Sequence, residues 1–230
     1  MKKDNHKKQV KELYSNWAEV YDKSVEQGLP YLVEQDVLIK KVAPEKGEKI
    51  LDVGCGTGRV TEQIYKHMKD IVGVDLSEEM LAIARQKLPD IQFVQADLEG
   101  KLPFDDGEFD KVVSSLTFQF LNDIKNPLQE IKRVLKTGGK AFITDFISDA
   151  PMGWSDVEYK REKLFKGSVS SISTFRTLKD YKKVAKEVGL ELLEVVPLKI
   201  TENAKEILTE KSWKKIKDSW ASVIFVFEKS

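Results

Sequence analysis

The chain has 230 residues, of which 41% are hydrophobic and 33% charged, a composition typical of one folded, water-soluble domain. Its 38 basic and 38 acidic residues balance, which gives no electrostatic argument for nucleic acid or an anionic membrane as the main partner. The single cysteine excludes an internal disulfide and a cysteine-ligated metal site, and no apolar run approaches the ~18 residues of a membrane helix.

The first 44 residues are predicted to be helical. Apolar residues at spacings of three and four predict an amphipathic helix over about 5–25, and a second helix over about 31–42. The start of the chain has no apolar core of a signal peptide, so we expect a cytoplasmic protein.

From residue 49 onwards, short apolar runs alternate with helical stretches. The predicted strands lie at 49–53, 71–75, 91–94, 110–114, from 141, at 190–196 and at 223–227. The predicted helices lie at about 59–68, 78–88, 126–137, 178–188 and 202–217. This alternation implies right-handed crossovers and a mainly parallel sheet that is covered on both faces.

Two of these helices carry a local start signal. Ser77 is predicted to cap the helix after the second strand, with two glutamates in its first turn. The run NPLQ at 126–129 predicts a second start, with Asn126 as the cap, Pro127 in the first turn and Gln129 in the capping-box position. The double glycine at 138–139 is predicted to end that helix.

A glycine-rich turn lies between the first predicted strand and the helix that follows it. Gly54, Gly56 and Gly58 supply no β-carbons, so a ligand can approach the backbone and the helix N-terminus. In a doubly wound sheet this is the usual ligand crevice. The third glycine comes one residue earlier than in the dinucleotide pattern, which disfavours a nicotinamide-dependent oxidoreductase.

Three carboxylates lie at the ends of successive predicted strands. Asp52 comes just before the glycines, Asp75 ends the second strand and Asp97 follows the third. Each could be an ordinary surface turn residue, since aspartate favours turns. Together they form a crevice that repels pyrophosphate and suits a ligand with ribose, adenine and a positive charge.

These segments resemble the motifs of the class I S-adenosylmethionine-dependent methyltransferases, small-molecule branch of type 11/25. The resemblance is carried by ILDVGCGTG (50–58), VGVDLSEEML (72–81), FVQADL (93–98), LPF (102–104), FDKVVS (109–114) and VLKTGGK (134–140). It implies a Rossmann-like, doubly wound, mainly parallel seven-stranded α/β sheet with an antiparallel last strand, helices on both faces and a small helical cap. The implied division is a cap at 1–44, a donor-binding core at 45–147, and substrate-cap segments with the C-terminal strands at 148–230.

The resemblance implies S-adenosyl-L-methionine as methyl donor, S-adenosyl-L-homocysteine as product and no metal. The methionine part would lie on the turn formed by Gly54, Cys55, Gly56 and Gly58. Asp52 would lie beside its amino group, Asp75 would take the ribose hydroxyls and Asp97 would accept from the adenine amino group.

Further contacts to the donor are implied by the same motifs. Leu76 and Met80 would pack on the adenine, and Leu98 would supply a backbone contact. Ser114 and Ser115 would lie beside the sulfonium. The run YSNWAEVYD at 14–22 resembles a helix whose tyrosines close over the donor; Tyr14 and Tyr21 would do so here, or would simply pack the helix onto the body.

The sulfonium methyl is already activated, so in-line transfer mainly needs alignment and the exclusion of water. Gln119 is the predicted catalytic residue, because it occupies a position where related enzymes often have histidine. A glutamine could orient a substrate but could not act as a base. Alternatively, Gln119 is a helix-start residue that touches only the donor.

Substrate choice is expected to depend on the N-terminal helix and on two later segments, 148–177 and 198–221. The aromatic residues of these segments favour one of two roles. They line a flat apolar pocket, or they merely attach the cap to the core. These residues are Trp154, Tyr159, Phe165, Phe175, Trp213 and Trp220.

The leading interpretation is methyl transfer to the O, N or C atom of a small molecule, with nucleic acid and a membrane span not expected. SLTFQFLND at 115–123 also resembles the carrier-protein O-methyltransferases of biotin synthesis, and the lysines of 211–217 could meet an acidic carrier protein. A third interpretation is a non-catalytic partner subunit that binds S-adenosylmethionine.

Overall fold

The computed structural model describes residues 2–26, 28–152, 157, 160 and 172–230, and these form one seven-stranded sheet. Its strands are β1 (Ile50–Val53), β2 (Ile71–Asp75), β3 (Gln92–Gln95), β4 (Phe109–Ser115), β5 (Leu135–Phe146), β6 (Leu190–Lys199) and β7 (Trp220–Lys229). They lie in the order β3-β2-β1-β4-β5-β7-β6, and β1 to β5 are parallel. The last strand, β7, is antiparallel to both of its neighbours. The predicted Rossmann-like sheet is therefore confirmed.

Helices cover both faces of this sheet. They are α1 (Lys2–Glu26), α2 (Leu29–Val42), α3 (Arg59–Tyr65), α4 (Glu78–Lys87), α5 (Lys125–Val134), α6 (Leu178–Val188) and α7 (Glu210–Ile216). The strand β1 shows why two covers are needed, since Ile50 packs into one apolar core and Leu51 into the other. Parallel strands that are apolar on both faces must be covered on both.

Of the two predicted caps, one is confirmed and one is wrong. The Oγ of Ser77 accepts a hydrogen bond from the Met80 N–H at 3.3 Å, as predicted for the start of α4. The helix α5 instead begins before Asn126, with Ile124 at the cap position and no side-chain cap. The Asn126 amide donates to the Glu99 carbonyl at 2.7 Å. The side chain of Asn126 therefore bonds the loop after β3 rather than the N-terminus of its own helix.

Two boundaries also differ from the prediction. The strand β5 starts at Leu135, before the double glycine, because Leu135 already pairs with Phe109 across an irregularity in β4. The helix predicted over about 202–217 is divided into a 3-10 turn at Glu202–Glu206 and α7. Thr209 restarts the helix, since its Oγ1 accepts from the Ser212 N–H at 3.3 Å.

Three polar contacts hold α1 against the carboxyl ends of the first strands. Lys7 pairs with Asp97, the Ser15 hydroxyl donates to Glu79 at 2.6 Å, and Thr57 donates to Asp22 at 2.5 Å. The contacts are spread along the helix, so α1 lies across this edge of the sheet. Among the described residues, no helix is both long and apolar enough to cross a membrane.

Candidate ligand-binding site

A cleft lies between α1 and the carboxyl ends of β1 to β4. Nine of the residues predicted from the sequence line it: Tyr14, Tyr21, Gly54, Gly56, Asp75, Leu76, Asp97, Leu98 and Ser115. Nine further lining residues were not predicted to contact a ligand: Lys7, Val10, Lys11, Ser77, Glu99, Leu116, Thr117, Phe120 and Leu121. The three on α1 reach the cleft only because of how that helix docks, which no local motif indicates.

The glycine turn forms the floor of the cleft. The amide groups of Gly54 and Cys55 both donate to the Val74 carbonyl, at 2.8 and 3.0 Å, which holds the turn against β2. Gly54 and Gly56 have φ of +73° and +54°, the left-handed region that favours glycine. The turn therefore exposes backbone instead of side chains to the cleft.

The half-buried carboxylate of Asp75 links this turn to the start of α4. Its Oδ2 accepts from the Gly56 N–H and its Oδ1 from the Ser77 N–H, both at 2.9 Å. Burial raises the pKa of Asp75, while these backbone hydrogen bonds act in the opposite direction. A carboxylate oxygen accepts more than one hydrogen bond, so both oxygens can also receive the hydroxyls of a diol.

Asp97 lies at the far end of the cleft and pairs with α1. The Lys7 ammonium is 2.5 Å from Asp97 Oδ2 and 3.6 Å from Glu99 Oε2. Burial opposes the charged form of Lys7, but the hydrogen bonds and charges of Asp97 and Glu99 together outweigh burial, so the pKa of Lys7 is raised. Lys7 bonds Oδ2 of Asp97, and Oδ1 accepts from the Glu99 N–H at 2.9 Å, but each carboxylate oxygen can accept a further hydrogen bond from the cleft.

Asp52 lies beneath the glycine turn and is buried. Thr61 donates to its Oδ2 at 2.6 Å, while its Oδ1 is buried without a hydrogen-bond partner among the described residues. Burial raises the pKa of Asp52 to about 7, partly offset by Thr61 and by the charge of Arg59. An orphaned, buried carboxylate oxygen is a suitable partner for a cationic amino group.

Besides Asp52, four other predicted residues lie outside the cleft lining. The Cys55 thiol is buried against Gly73, and burial raises its pKa well above the ordinary value. Gly58 begins α3 and packs near Ala84. Met80 is fully buried, and the Ser114 hydroxyl donates to the Val53 carbonyl at 2.9 Å.

Gln119, the predicted catalytic residue, is also outside the cleft lining. Its Nε2 donates to the Leu116 carbonyl at 3.0 Å, and its Oε1 accepts from the Ser173 hydroxyl at 3.3 Å. It is buried in the 3-10 turn Phe118–Phe120, whose Phe120 does line the cleft. Both ends of its amide are thus held by the protein itself.

Aromatic side chains form one wall of the cleft. The Tyr14 ring lies 5.2 Å from Phe120 and 6.0 Å from Tyr21, measured between centroids, and Trp17 lies 4.9 Å from Tyr21. Burial raises the pKa of Tyr21 to about 12, so its hydroxyl stays neutral. This wall suits a flat, apolar group.

The aromatic residues of the predicted substrate cover are only partly described. Trp154, Tyr159 and Phe165 lie outside the described residues. Phe175 is exposed, whereas Trp213 is buried in the core cluster that includes Leu38 of α2. Trp213 therefore attaches α7 to the body of the protein.

A buried polar cluster lies beside Ser115, and sequence reasoning did not identify it. Glu34 of α2 is 1% exposed and pairs with Arg59 at 2.8 Å. The same carboxylate accepts from the hydroxyls of Ser115, at 2.7 Å, and Thr144. Among the described residues, no group of three or more His, Cys, Asp or Glu side chains is arranged to hold a metal ion.

Comparison with known proteins gives both a family and relatives. A family model described as a methyltransferase domain matches residues 51–143. The demethylmenaquinone methyltransferase of Chlorobaculum parvum is 33% identical over 175 residues, which cover 69% of this chain and 72% of that protein. That of Chlorobaculum tepidum is 41% identical over 107 residues, 46% of this chain and only 44% of that protein's length.

Solved structures share the fold at lower identity. The complex between the Haloferax volcanii Trm112 methyltransferase activator and a methyltransferase contains a chain with a TM-score of 0.74 and 20% identity, with 94% of this chain and 96% of that chain covered. An S-adenosylmethionine-dependent methyltransferase from Mesorhizobium loti has a TM-score of 0.68 and 21% identity, with 88% and 100% covered.

Proposed function

The chain belongs to the class I S-adenosylmethionine-dependent methyltransferases, and on this premise we propose that it methylates a small organic acceptor. The observation that carries the proposal is the cleft itself, with Asp75 and Asp97 along one half and an aromatic wall at the other. The relatives named demethylmenaquinone methyltransferase have a small-molecule acceptor in their names, which supports an acceptor of that broad class.

The residues of the cleft fit the donor. We assign Asp75 to its ribose hydroxyls, Asp97 to the adenine amino group and the glycine turn to its methionine part. The orphaned Oδ1 of Asp52 supports placing the donor's amino group nearby, because a cation would satisfy that buried acceptor. When bound, the donor supplies an activated methyl group on a sulfonium.

The protein then has to align the reactants and exclude water. The three contacts that hold α1 support a role for Tyr14 and Tyr21 in covering the donor, since both half-buried rings line the cleft and their raised pKa keeps them neutral. We propose that residues 1–44 act as a cap in this way, over a donor-binding core at 45–147, with residues 148–230 completing the same domain.

The predicted residues outside the cleft lining act indirectly in this proposal. Gln119 fixes the 3-10 turn and hence the position of Phe120 beside the acceptor, rather than touching the acceptor itself. Ser114, Met80 and the Cys55 side chain support the strand ends and the turn from below.

The experiment uses S-adenosylmethionine with an isotope-labelled methyl group, the purified protein and a cell extract. Metabolites, protein and RNA are separated, and mass spectrometry locates the label. Label in a metabolite is the expected result. Label only on a carrier protein or on RNA would replace this proposal with a macromolecular acceptor.

A binding measurement distinguishes the remaining alternative. S-adenosylhomocysteine is titrated into the purified protein by calorimetry. Binding without transfer to any fraction of the extract would indicate a partner subunit that binds the donor but does not catalyse transfer.

A further inference from the structure

Ser115 is the point where the buried polar cluster meets the cleft. The cluster consists of Glu34 from α2, Arg59 at the start of α3, Ser115 at the end of β4 and Thr144 in β5. Ser115 lines the cleft, whereas Glu34 and Thr144 are fully buried behind it. Glu34 and Arg59 thus both bond the one hydroxyl that a ligand can reach, while Thr144 donates to Glu34 behind it.

The hydrogen bonds of the cluster have fixed directions. Arg59 Nη2 donates to Glu34 Oε2 at 2.8 Å, so the buried carboxylate of Glu34 is paired with a cation. An ionised carboxylate only accepts hydrogen bonds, so the Ser115 hydrogen points to Glu34 Oε1, 2.7 Å away. Arg59 Nη2 in turn donates to Ser115 Oγ at 2.6 Å.

This arrangement decides what Ser115 can offer a ligand. A serine hydroxyl has one hydrogen and two lone pairs. The hydrogen is directed to Glu34 and one lone pair receives Arg59, which leaves a lone pair for the cleft. Ser115 is therefore a hydrogen-bond acceptor toward the cleft, not a donor.

Ser115 also lies on the acceptor side. In the sheet order, β2, which ends at Asp75, and β3, which is followed by Asp97, lie on one side of β1, and β4 lies on the other. A donor with its ribose at Asp75 and its methionine part on the glycine turn extends toward β4. Its reactive end therefore faces Ser115 and the aromatic wall.

Given the proposed function, we propose that the acceptor carries an O–H or N–H that donates to Ser115 Oγ, and that Glu34 receives this proton through Ser115. The acceptor's O or N lone pair forms the bond to the methyl carbon, and the carbon–sulfur bond breaks with its electron pair remaining on sulfur. The acceptor's proton passes to Ser115 Oγ while the Ser115 proton passes to Glu34 Oε1. Atoms and charge balance without another reactant.

The proposal narrows the substrate class. An ionised carboxylate has no hydrogen to donate to Ser115 Oγ, so methyl-ester formation is disfavoured. Carbon acceptors fall outside this class, because in the proposed step an O or N lone pair forms the bond to the methyl carbon. The substrate class is accordingly alcohols, phenols or amines with a flat apolar body.

The test uses wild type and the variants Ser115→Ala, Ser115→Thr and Glu34→Gln with labelled S-adenosylmethionine and the metabolite fraction of the extract. Tandem mass spectrometry assigns the label to oxygen, nitrogen, carbon or a carboxyl ester. We expect an ether or an N-methyl product. Loss of proton transfer in Ser115→Ala should lower the transfer rate by about 100-fold or more, whereas Ser115→Thr keeps the hydroxyl and should recover most of it.

Two further readouts separate this role from a structural one. The Kd of S-adenosylhomocysteine is measured for Ser115→Ala, and a fall in the transfer rate that greatly exceeds the loss of binding would place Ser115 in the transfer step and not only in donor binding. In Glu34→Gln, the rate of methyl transfer should rise with pH, because at higher pH the acceptor can lose its proton to water instead of to Glu34.

The outcomes separate the two proposals. A labelled carbon or ester product, or a Ser115→Ala variant as active as wild type, would overturn the proton path and leave the proposed function intact. Wild type that binds S-adenosylhomocysteine yet labels no metabolite would overturn the proposed function, and this inference with it.

Discussion

Thr117 closes the space over Gly54: a Cβ built on Gly54 would lie 2.2 Å from Thr117 Oγ1 and 2.3 Å from its Cγ2. The glycine turn is therefore packed directly under the segment that follows β4. We expect Gly54→Ala to destabilise the protein by about 2–4 kcal/mol, from the left-handed backbone and the overlap together. Chemical denaturation measures this difference.

Gly56→Ala is the matched control for that variant. Gly56 also has a positive φ, +54°, but nothing lies within 4 Å of a Cβ there. The loss of stability in Gly56→Ala should therefore be limited to the cost of the left-handed backbone, about 1–2 kcal/mol. Equal losses at Gly54 and Gly56 would show that the contact with Thr117 is irrelevant.

Asp75→Asn should weaken the binding of S-adenosylhomocysteine by about 1–3 kcal/mol, through the loss of hydrogen bonds between the carboxylate and the ribose. Asparagine keeps the shape and one acceptor, so the turn contacts with Gly56 and Ser77 are disturbed less than by alanine. Calorimetry gives the change in Kd. Asp90→Asn, at an exposed carboxylate near Tyr65, is the control and should bind normally; unchanged binding in folded Asp75→Asn would contradict the ribose assignment.

Binding of the donor should release a proton near pH 6.5. Asp52 in the free protein has its pKa raised to about 7 by burial, so it is largely protonated at that pH. A cationic amino group nearby favours the ionised form, and the proton leaves. Calorimetry in two buffers with different ionisation enthalpies counts the protons. Asp52→Asn should abolish the release, and a release that persists in this variant would exclude Asp52 as its source.

The same shift predicts how stability depends on pH. Burial raises the pKa of both Asp52 and Asp145 to about 7, whereas the unfolded chain loses these protons near pH 4. Between these values the folded state binds more protons, so the free energy of unfolding falls as pH rises from about 4 to about 7. Asp52→Asn and Asp145→Asn should each flatten this fall; a slope that is the same in both variants as in wild type would refute the assignment.

Tyr181→Phe should cost about 1–3 kcal/mol of stability. The Tyr181 hydroxyl donates to the fully buried carboxylate of Asp145, which loses that donor in the variant. The ring still stacks on Phe225 at 4.1 Å, so packing is preserved. Tyr65→Phe is the control, since its hydroxyl contacts Asp90 at 3.2 Å in an exposed position. Denaturation at pH 8 compares the two, and similar small losses would contradict the prediction.

The fold could be predicted from the sequence wherever a signal is local. Ile71–Asp75 was bounded correctly because apolar residues run between polar ends, and Ser77 caps α4 because a cap involves only neighbouring residues. The prediction that Asn126 caps α5 was wrong because its amide donates to the carbonyl of Glu99. Glu99 lies in a loop that only tertiary packing brings close to Asn126.

The donor half of the site was predictable for the same reason. Gly54, Gly56 and Asp75 lie within or beside one turn, and the resemblance names each of them. Glu34 was not predictable, since its contacts with Ser115 and Thr144 span 81 and 110 residues of chain. Only the docking of α2 against the sheet reveals that this glutamate is buried.

The position of β7 in the sheet constrains the order in which the strands can pair. Among the described strands, β6 pairs only with β7, and β7 lies between it and β5. During synthesis β6 therefore emerges before the strand that connects it to the sheet, and it must wait without a partner. Until β7 inserts, the edge of β5 is open to other chains. We expect a chain with β1 to β5 paired and β6 detached to aggregate readily. Slowing the arrival of β7 should therefore lower the yield of native protein.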